Sequence, residues 1–282
     1  MVPPGGTAHL ADAADGSHSG TMHVVRRTRA AGVLLPVCLP GLAVCAALLL
    51  SADGAPRRAP ERAAPAATRP ATGSHRAPRP PIVPRSVWLH APGPPAPRPR
   101  AAPRYDDEAV AVFVHHTDSP NDYACADAPA VIRNLYAGQI EARGFDDLAY
   151  NFLVDRCGTL YEGRAGGPER PVTGAHTQGF NHRTTGVAAL GTFTAGTSVP
   201  RAMTDAIAAL AAWKLGLAGI DPRATVRLVS SNGHSRYPAG TAAEFPAVAP
   251  HRDAYRTNCP GEALTARLPG IRRAAARLQG RP

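Results

Sequence analysis

Aromatic side chains make up only 5% of the 282 residues, too few for a core that uses the whole chain. Proline (30) and glycine (27) are abundant instead, which points to one globular domain plus unstructured sequence. Acidic side chains are almost missing from residues 54–104, where ten arginines face Glu61 alone. Residues 105–282 hold 18 basic and 17 acidic side chains, so the formal charge of +10 belongs to the tail and not to a folded face. That distribution excludes a nucleic-acid-binding domain, which needs a basic patch on a folded surface. It reads as a solvated, extended Arg/Pro tether. Attraction to an anionic cell-wall polymer or membrane surface is the sharper alternative. Internal repeats are also lacking, which removes solenoids and propellers.

The first fifty residues carry a targeting pattern. Arg26, Arg27 and Arg29 precede "AAGVLLPVCLPGLAVCAALLL", and the small residues of "SADGA" follow. Charge, apolar run and small-residue site is the order of an export signal. Residues 1–55 are therefore read as an N-terminal extension and export signal, with Met22 a better start than Met1. The run is close to the length of a membrane span, so an anchor through residues 31–50 is the alternative. Val44 is too bulky for a lipobox at Cys45. The expected location is secreted or cell-wall associated, and the expected state is monomeric.

Cysteine is sparse: five residues, of which Cys38 and Cys45 lie in the apolar run. The exported part keeps Cys125, Cys157 and Cys259. An odd number outside the cell leaves one thiol for another purpose. Cys125 and Cys157 flank a predicted helix and strand, and an oxidising compartment favours their pairing. Cys259 is left over.

Residues 56–81 read as a Pro/Ala/Arg-rich linker and 82–279 as the domain. "PIVPRSVWLH" breaks the tether's pattern with apolar residues and Trp88, as an arm docking on the domain would. "AVAVFVHHT" reads as a buried strand with a polar end. "DAPAVIRNLYAGQIEARG" has helical spacing, with Asp127 as N-cap and Gly144 as stop. "LAYNFLVD", "GTLYEG", "TTGVAALGTF" and "TVRLVSS" read as strands. "TDAIAALAAWKLGLAG" is a helix opened by Thr204 and Asp205, and "GEALTARLPGIRRAAARL" a C-terminal helix divided by Pro269. Strands alternating with helices give an α/β domain, a central mixed β-sheet flanked by about three helices.

One loop, "APHRDAYRTNCPG", offers two metal-type ligands, His251 and Cys259. A catalytic zinc site needs three such ligands and an open fourth position. A third ligand fits the strand end at His115 and His116. Adjacent strand residues point opposite ways, so only one of them can join. Alone, neither the histidine pair nor the His251–Cys259 spacing is specific.

Four longer words occur in order: "VFVHHTDSPNDY", "DDLAYNFLVDRCGTLYEGRAGG", "GAHTQGFNHRTTGVAALGTF" and "PHRDAYRTNCPGEAL". On these words the chain resembles the peptidoglycan recognition protein / type-2 N-acetylmuramoyl-L-alanine amidase family, especially its secreted actinobacterial members, over residues 82–279. The resemblance implies a zinc hydrolase that cuts the amide between N-acetylmuramic acid and L-alanine. It implies zinc on His115, His251 and Cys259, Tyr150 and Thr257 at the reacting centre, and His176 and Asn181 lining a muropeptide groove. Ala149 and Pro250 stand where relatives usually carry glycine, and Pro250 fixes φ and removes a donor. Asp253 could orient a histidine or merely turn the chain. Tyr150 could equally be a core residue on its strand. His116 is expected as a hydrogen-bonded neighbour, and His182, His234 and "SSNGHSRYPAG" as surface. No motif places a carboxylate base. The competing function is a recognition module that binds muropeptides without cutting. Such relatives commonly lose the cysteine, and Cys259 is present.

Overall fold

The computed structural model describes residues 75–282 except Pro94. The export signal or anchor within residues 1–55 and the linker up to residue 74 lie outside the described residues. Among those described, no helix is long and apolar enough to cross a membrane.

In chain order the elements are β1 (Ile82–Val83), α1 (Arg85–Leu89), β2 (Ala111–His116), α2 (Ala128–Glu141), β3 (Phe152–Val154), β4 (Leu160–Glu162), β5 (Thr184–Ala189), α3 (Arg201–Leu217), β6 (Thr225–Val229), β7 (Ala242–Pro246), β8 (Val248–Pro250), α4 (His251–Ala254), α5 (Glu262–Thr265) and α6 (Leu268–Leu278). Six strands form one mixed sheet in the order β1-β4-β3-β5-β2-β8, and β6 and β7 form a separate ribbon. Only the β3–β4 pair is antiparallel within the large sheet.

Alternation along β2 decides where the site lies. Val112 and Val114, with Phe152 and Val187, join the core formed by α3 and α6. Phe113 points the other way, into a cluster with Phe180, Leu228 and Phe245 under the ribbon. On that same face, α1 and α2 cover Leu153 and Tyr161 through Trp88, Ile132 and Tyr136. His115, two residues beyond Phe113, therefore falls between the helical cover and the ribbon.

The arm docks as its apolar residues suggest. Trp88 is fully buried and its Nε1–H donates to Glu162 O at 2.7 Å. Arg85 pairs with Asp147 at 2.6 Å and stacks over Trp88 and Tyr136. Packing continues upstream of residue 82: Ala77 joins the α3–α6 core.

Two expectations shift and two strands are added. Helix α3 begins after Pro200, ahead of the expected opening at Thr204; the Thr204 hydroxyl donates back to Arg201 O at 2.8 Å within the first turn and caps nothing. Strand β3 starts only at Phe152, so Tyr150 stands in the segment before it and not on a strand. Strands β7 and β8 lie in a stretch to which the sequence pattern assigns no element. Both end on proline, and in β8 Pro250 is tolerated because that strand is the sheet edge. Pro269 divides the C-terminal helix as expected, sitting in the first turn of α6.

Cys125 and Cys157 are joined, and Cys259 is free. The bridge spans a sequence separation of 32. Replacing both cysteines by serine should lower stability by about 3–4 kcal/mol in the chain-entropy estimate. Denaturant unfolding of the full chain with and without the bridge measures it, and an unchanged midpoint would show that the bridge contributes nothing.

Candidate functional site

His115 is the next-to-last residue of β2, a strand that lies between β5 and β8, and it pairs with Ala188 of β5 just beyond the stretch that pairs with β8. The edge strand β8 runs parallel to β2 and delivers His251 as the first residue of α4. The chain then turns back to Cys259. Arg252 N–H donates to Cys259 O at 3.0 Å, Arg252 Nη2 to Asn258 O at 2.8 Å, and Cys259 N–H to Thr257 Oγ1 at 3.1 Å. Gly261 closes the turn at φ +91, and a Cβ there would meet Phe193 O at 2.0 Å, so only glycine fits.

These elements bring one ligand atom each from His115, His251 and Cys259 to within 4.8 Å of one another. His115 Nδ1 lies 3.8 Å from Cys259 Sγ. His116 is outside the cluster, and its backbone N–H donates to Cys259 Sγ at 3.3 Å. Asp253 makes no hydrogen bond to either histidine among the described residues, and burial pushes its carboxyl pKa up.

The donor set fits a zinc-type cation. Burial, then the neighbouring histidines, hold His115 well below the usual imidazole range. Burial, then His116, lowers His251 to about 4. Both rings are neutral at pH 7 and keep a lone pair for a metal. Burial pushes the Cys259 thiol up to about 12, so the thiol keeps its proton until a cation displaces it. His251 Nε2 is buried and has no hydrogen-bond partner, a deficit that a cation relieves. Two imidazoles and one thiolate suit a tetrahedral site with one open position.

The cluster borders a groove of about 490 Å³. One wall comes from the end of α2 and the segment after it, with Gln139, Arg143, Phe145 and Tyr150. The other comes from the 175–181 loop, with His176, Gln178 and Asn181, and from Tyr255 beyond α4. The Tyr150 ring centroid is 5.2 Å from that of His115. Burial, then Cys259, pushes its phenol pKa well up, so the hydroxyl is a neutral donor. Asn181 Oδ1 accepts Thr177 N–H at 2.8 Å and so shapes its own loop. Thr257 does not line the groove; its hydroxyl oxygen supports the Cys259 turn.

No sequence pattern singles out Arg236. Its backbone N–H donates to Ala254 O at 2.9 Å, and its Nε donates to Arg252 O at 2.7 Å and Tyr255 O at 3.1 Å. Ser231 N–H in the same β6–β7 connection donates to Gly179 O at 2.8 Å. The "SSNGHSRYPAG" stretch thus ties α4 to the 175–181 loop. A lone arginine in a Gly/Ser/Pro-rich loop has no pattern that announces this.

A profile of N-acetylmuramoyl-L-alanine amidases matches residues 106–262, from ahead of β2 to just past the Cys259 turn. The chain belongs to the N-acetylmuramoyl-L-alanine amidase family. This amidase-family chain is 34% identical over 193 residues to the N-acetylmuramoyl-L-alanine amidase of Sus scrofa, covering 66% of the chain and 26% of that relative. It is 36% identical over 113 residues to peptidoglycan-recognition protein LE of Drosophila melanogaster, covering 40% of the chain and 30% of that protein. The chain thus matches less than a third of the length of these two curated relatives. Among solved structures, peptidoglycan recognition protein LE in complex with tracheal cytotoxin, a monomeric diaminopimelic acid-type peptidoglycan, aligns with a TM-score of 0.51 at 26% identity. That alignment covers 67% of this chain and 92% of that one. Membership of the amidase family supports peptidoglycan binding or amidase activity.

Proposed function

We propose that this amidase-family chain hydrolyses the amide joining N-acetylmuramic acid to L-alanine in peptidoglycan, with zinc held by His115, His251 and Cys259. The observation that carries the reading is the meeting of three soft or borderline ligand atoms within 4.8 Å beside an open groove. When bound, zinc supplies Lewis-acid polarisation of the carbonyl and activates water near neutral pH. The chain's own residues do the rest. His115 and His251 offer neutral nitrogens, and Cys259 gives up its proton to bind. Tyr150 donates its phenol hydrogen toward the carbonyl oxygen, where charge develops. Thr257 holds the Cys259 turn and so sets the sulfur's position. Asn181 and the α2 wall receive the muropeptide, the ligand class that the complex of the LE relative displays.

The second reading is a recognition module that binds muropeptide without cutting, since several relatives are named recognition proteins. The complete ligand set favours the enzyme. The protein is proposed to act as a monomer outside the cell or on the wall. Its Arg/Pro-rich N-terminal segment is read as a tether, with attraction to anionic wall polymers as the alternative, and no nucleic-acid partner is proposed.

Digestion of purified peptidoglycan by the zinc-loaded full chain, followed by mass spectrometry of new termini, tests the reading. Stem peptides beginning with L-alanine and intact lactyl-bearing glycans are expected. New termini inside the stem would assign a different bond, and no new termini with retained muropeptide binding would assign the recognition module.

A further inference from the structure

We infer that His176 is a positioning residue for the ligand His115: it accepts the His115 Nε2 proton and so reserves His115 Nδ1 for the metal. The inference rests on the zinc reading above. His115 Nε2 lies 3.1 Å from His176 Nδ1, both rings being buried. The direction of that bond follows from the far end of the chain of contacts. Thr184 Oγ1 lies 2.6 Å from Phe180 O and 3.3 Å from Asn181 O, and a carbonyl can only accept, so the hydroxyl proton is committed there. Toward His176 Nε2, at 3.5 Å, Thr184 Oγ1 is left as an acceptor. His176 therefore carries its proton on Nε2 and presents a lone pair at Nδ1. That lone pair takes the His115 Nε2–H, with the Thr177 hydroxyl also within 3.0 Å of the same nitrogen. His115 is left with a bare Nδ1, the nitrogen 3.8 Å from Cys259 Sγ.

Metal-binding histidines are ordinarily held by a carboxylate, carbonyl or water on the other nitrogen. Among the described residues no carboxylate hydrogen-bonds His115. A second imidazole does that work here.

The seat for the ring is built for it. A Cβ at Gly174 would lie 2.4 Å from His176 Cδ2, and one at Gly186 would lie 2.4 Å from His176 Cγ. Neither glycine has a left-handed φ, so the backbone does not require glycine at either place; the ring does. With both nitrogens engaged inside the protein, His176 borders the groove but has no free polar atom to offer a muropeptide. This departs from the groove-contact role that the family resemblance implies for it.

Competition titration of zinc against a chromophoric chelator, on the full chain, tests this. His176→Ala should weaken zinc binding by about 10–100-fold, the usual scale for losing such a partner. It should also shift the ligand-field bands of the cobalt-substituted protein, because the orientation and basicity of the His115 ligand change. His176→Gln restores an acceptor and should recover most of the affinity. Gly186→Ala leaves the ring chemistry intact but fills its seat, and should reproduce the loss without adding to it in the double variant. KM for a muropeptide at saturating zinc should stay within about twofold in His176→Gln. A zinc-binding wild type whose affinity and cobalt spectrum survive His176→Ala, with muropeptide binding weakened, overturns this inference alone. A wild type with no zinc affinity overturns the zinc reading and this inference with it.

Discussion

Replacing Cys259 with serine should remove zinc and hydrolysis together while the fold stays intact. The sulfur is buried, faces His115 Nδ1, and accepts the His116 backbone N–H at 3.3 Å. A serine oxygen can accept that same N–H, so the turn keeps its shape. What serine cannot supply is the anion. The thiol already sits at about 12 through burial, and only a bound cation makes its deprotonation favourable. A hydroxyl in the same place resists deprotonation far more strongly, so the site loses the one anionic ligand of its three. Zinc content after dialysis should fall from about one per chain to a trace, as expected for an open three-ligand site that loses a ligand. Turnover of muropeptide should fall to background, a loss on the order of 10³-fold or more. Circular dichroism and the melting temperature of the metal-free forms should match wild type. A Cys259→Ser protein with full activity would sink the metal assignment.

Much of this site is legible in the chain itself. The β-branched run "AVFV" fixes a buried strand, and alternation then sends His115 and His116 to opposite faces. The structure brings His115, and not His116, together with His251 and Cys259. The Cys125–Cys157 disulfide agrees with the odd count of cysteines outside the apolar run and with the places of these two beside a predicted helix and strand. What escaped reading has physical causes. Strands β7 and β8 are short and end on proline, and proline at a strand end or sheet edge looks the same in sequence as proline in a loop. The α3 start lies ahead of Thr204, because a threonine in sequence looks the same whether its hydroxyl caps a helix or bonds back within one. The partner of His115 was hidden because it comes from residue 176, and nothing in the order of residues reports which two rings meet. The strand stops short of Tyr150, and apolar pattern cannot tell a strand from the segment that leads into it.

Tyr150→Phe separates binding from chemistry. The substitution keeps the ring beside His115 and deletes only the hydroxyl, which finds no acceptor among the described residues. A half-buried phenol without a protein partner, on the wall of the groove, is free to donate to a bound ligand. Burial and the neighbouring Cys259 push its pKa upward, so it keeps its proton across the working range and cannot serve as a base near pH 7. Its contribution is therefore a hydrogen bond to an oxygen that gains charge in the transition state. Removing one such donor costs roughly 10²–10³ in kcat. KM should change little, because an interaction made only in the transition state lowers kcat and kcat/KM alike. Zinc content should be unchanged, since Tyr150 is not in the ligand cluster. The pH profile of the remaining activity should keep its wild-type shape, because the lost group does not titrate in that window. Steady-state kinetics on a soluble muropeptide, with zinc measured on the same samples, checks all of these. Unchanged turnover in Tyr150→Phe would make Tyr150 a packing residue and leave the metal and the groove walls to carry the reaction.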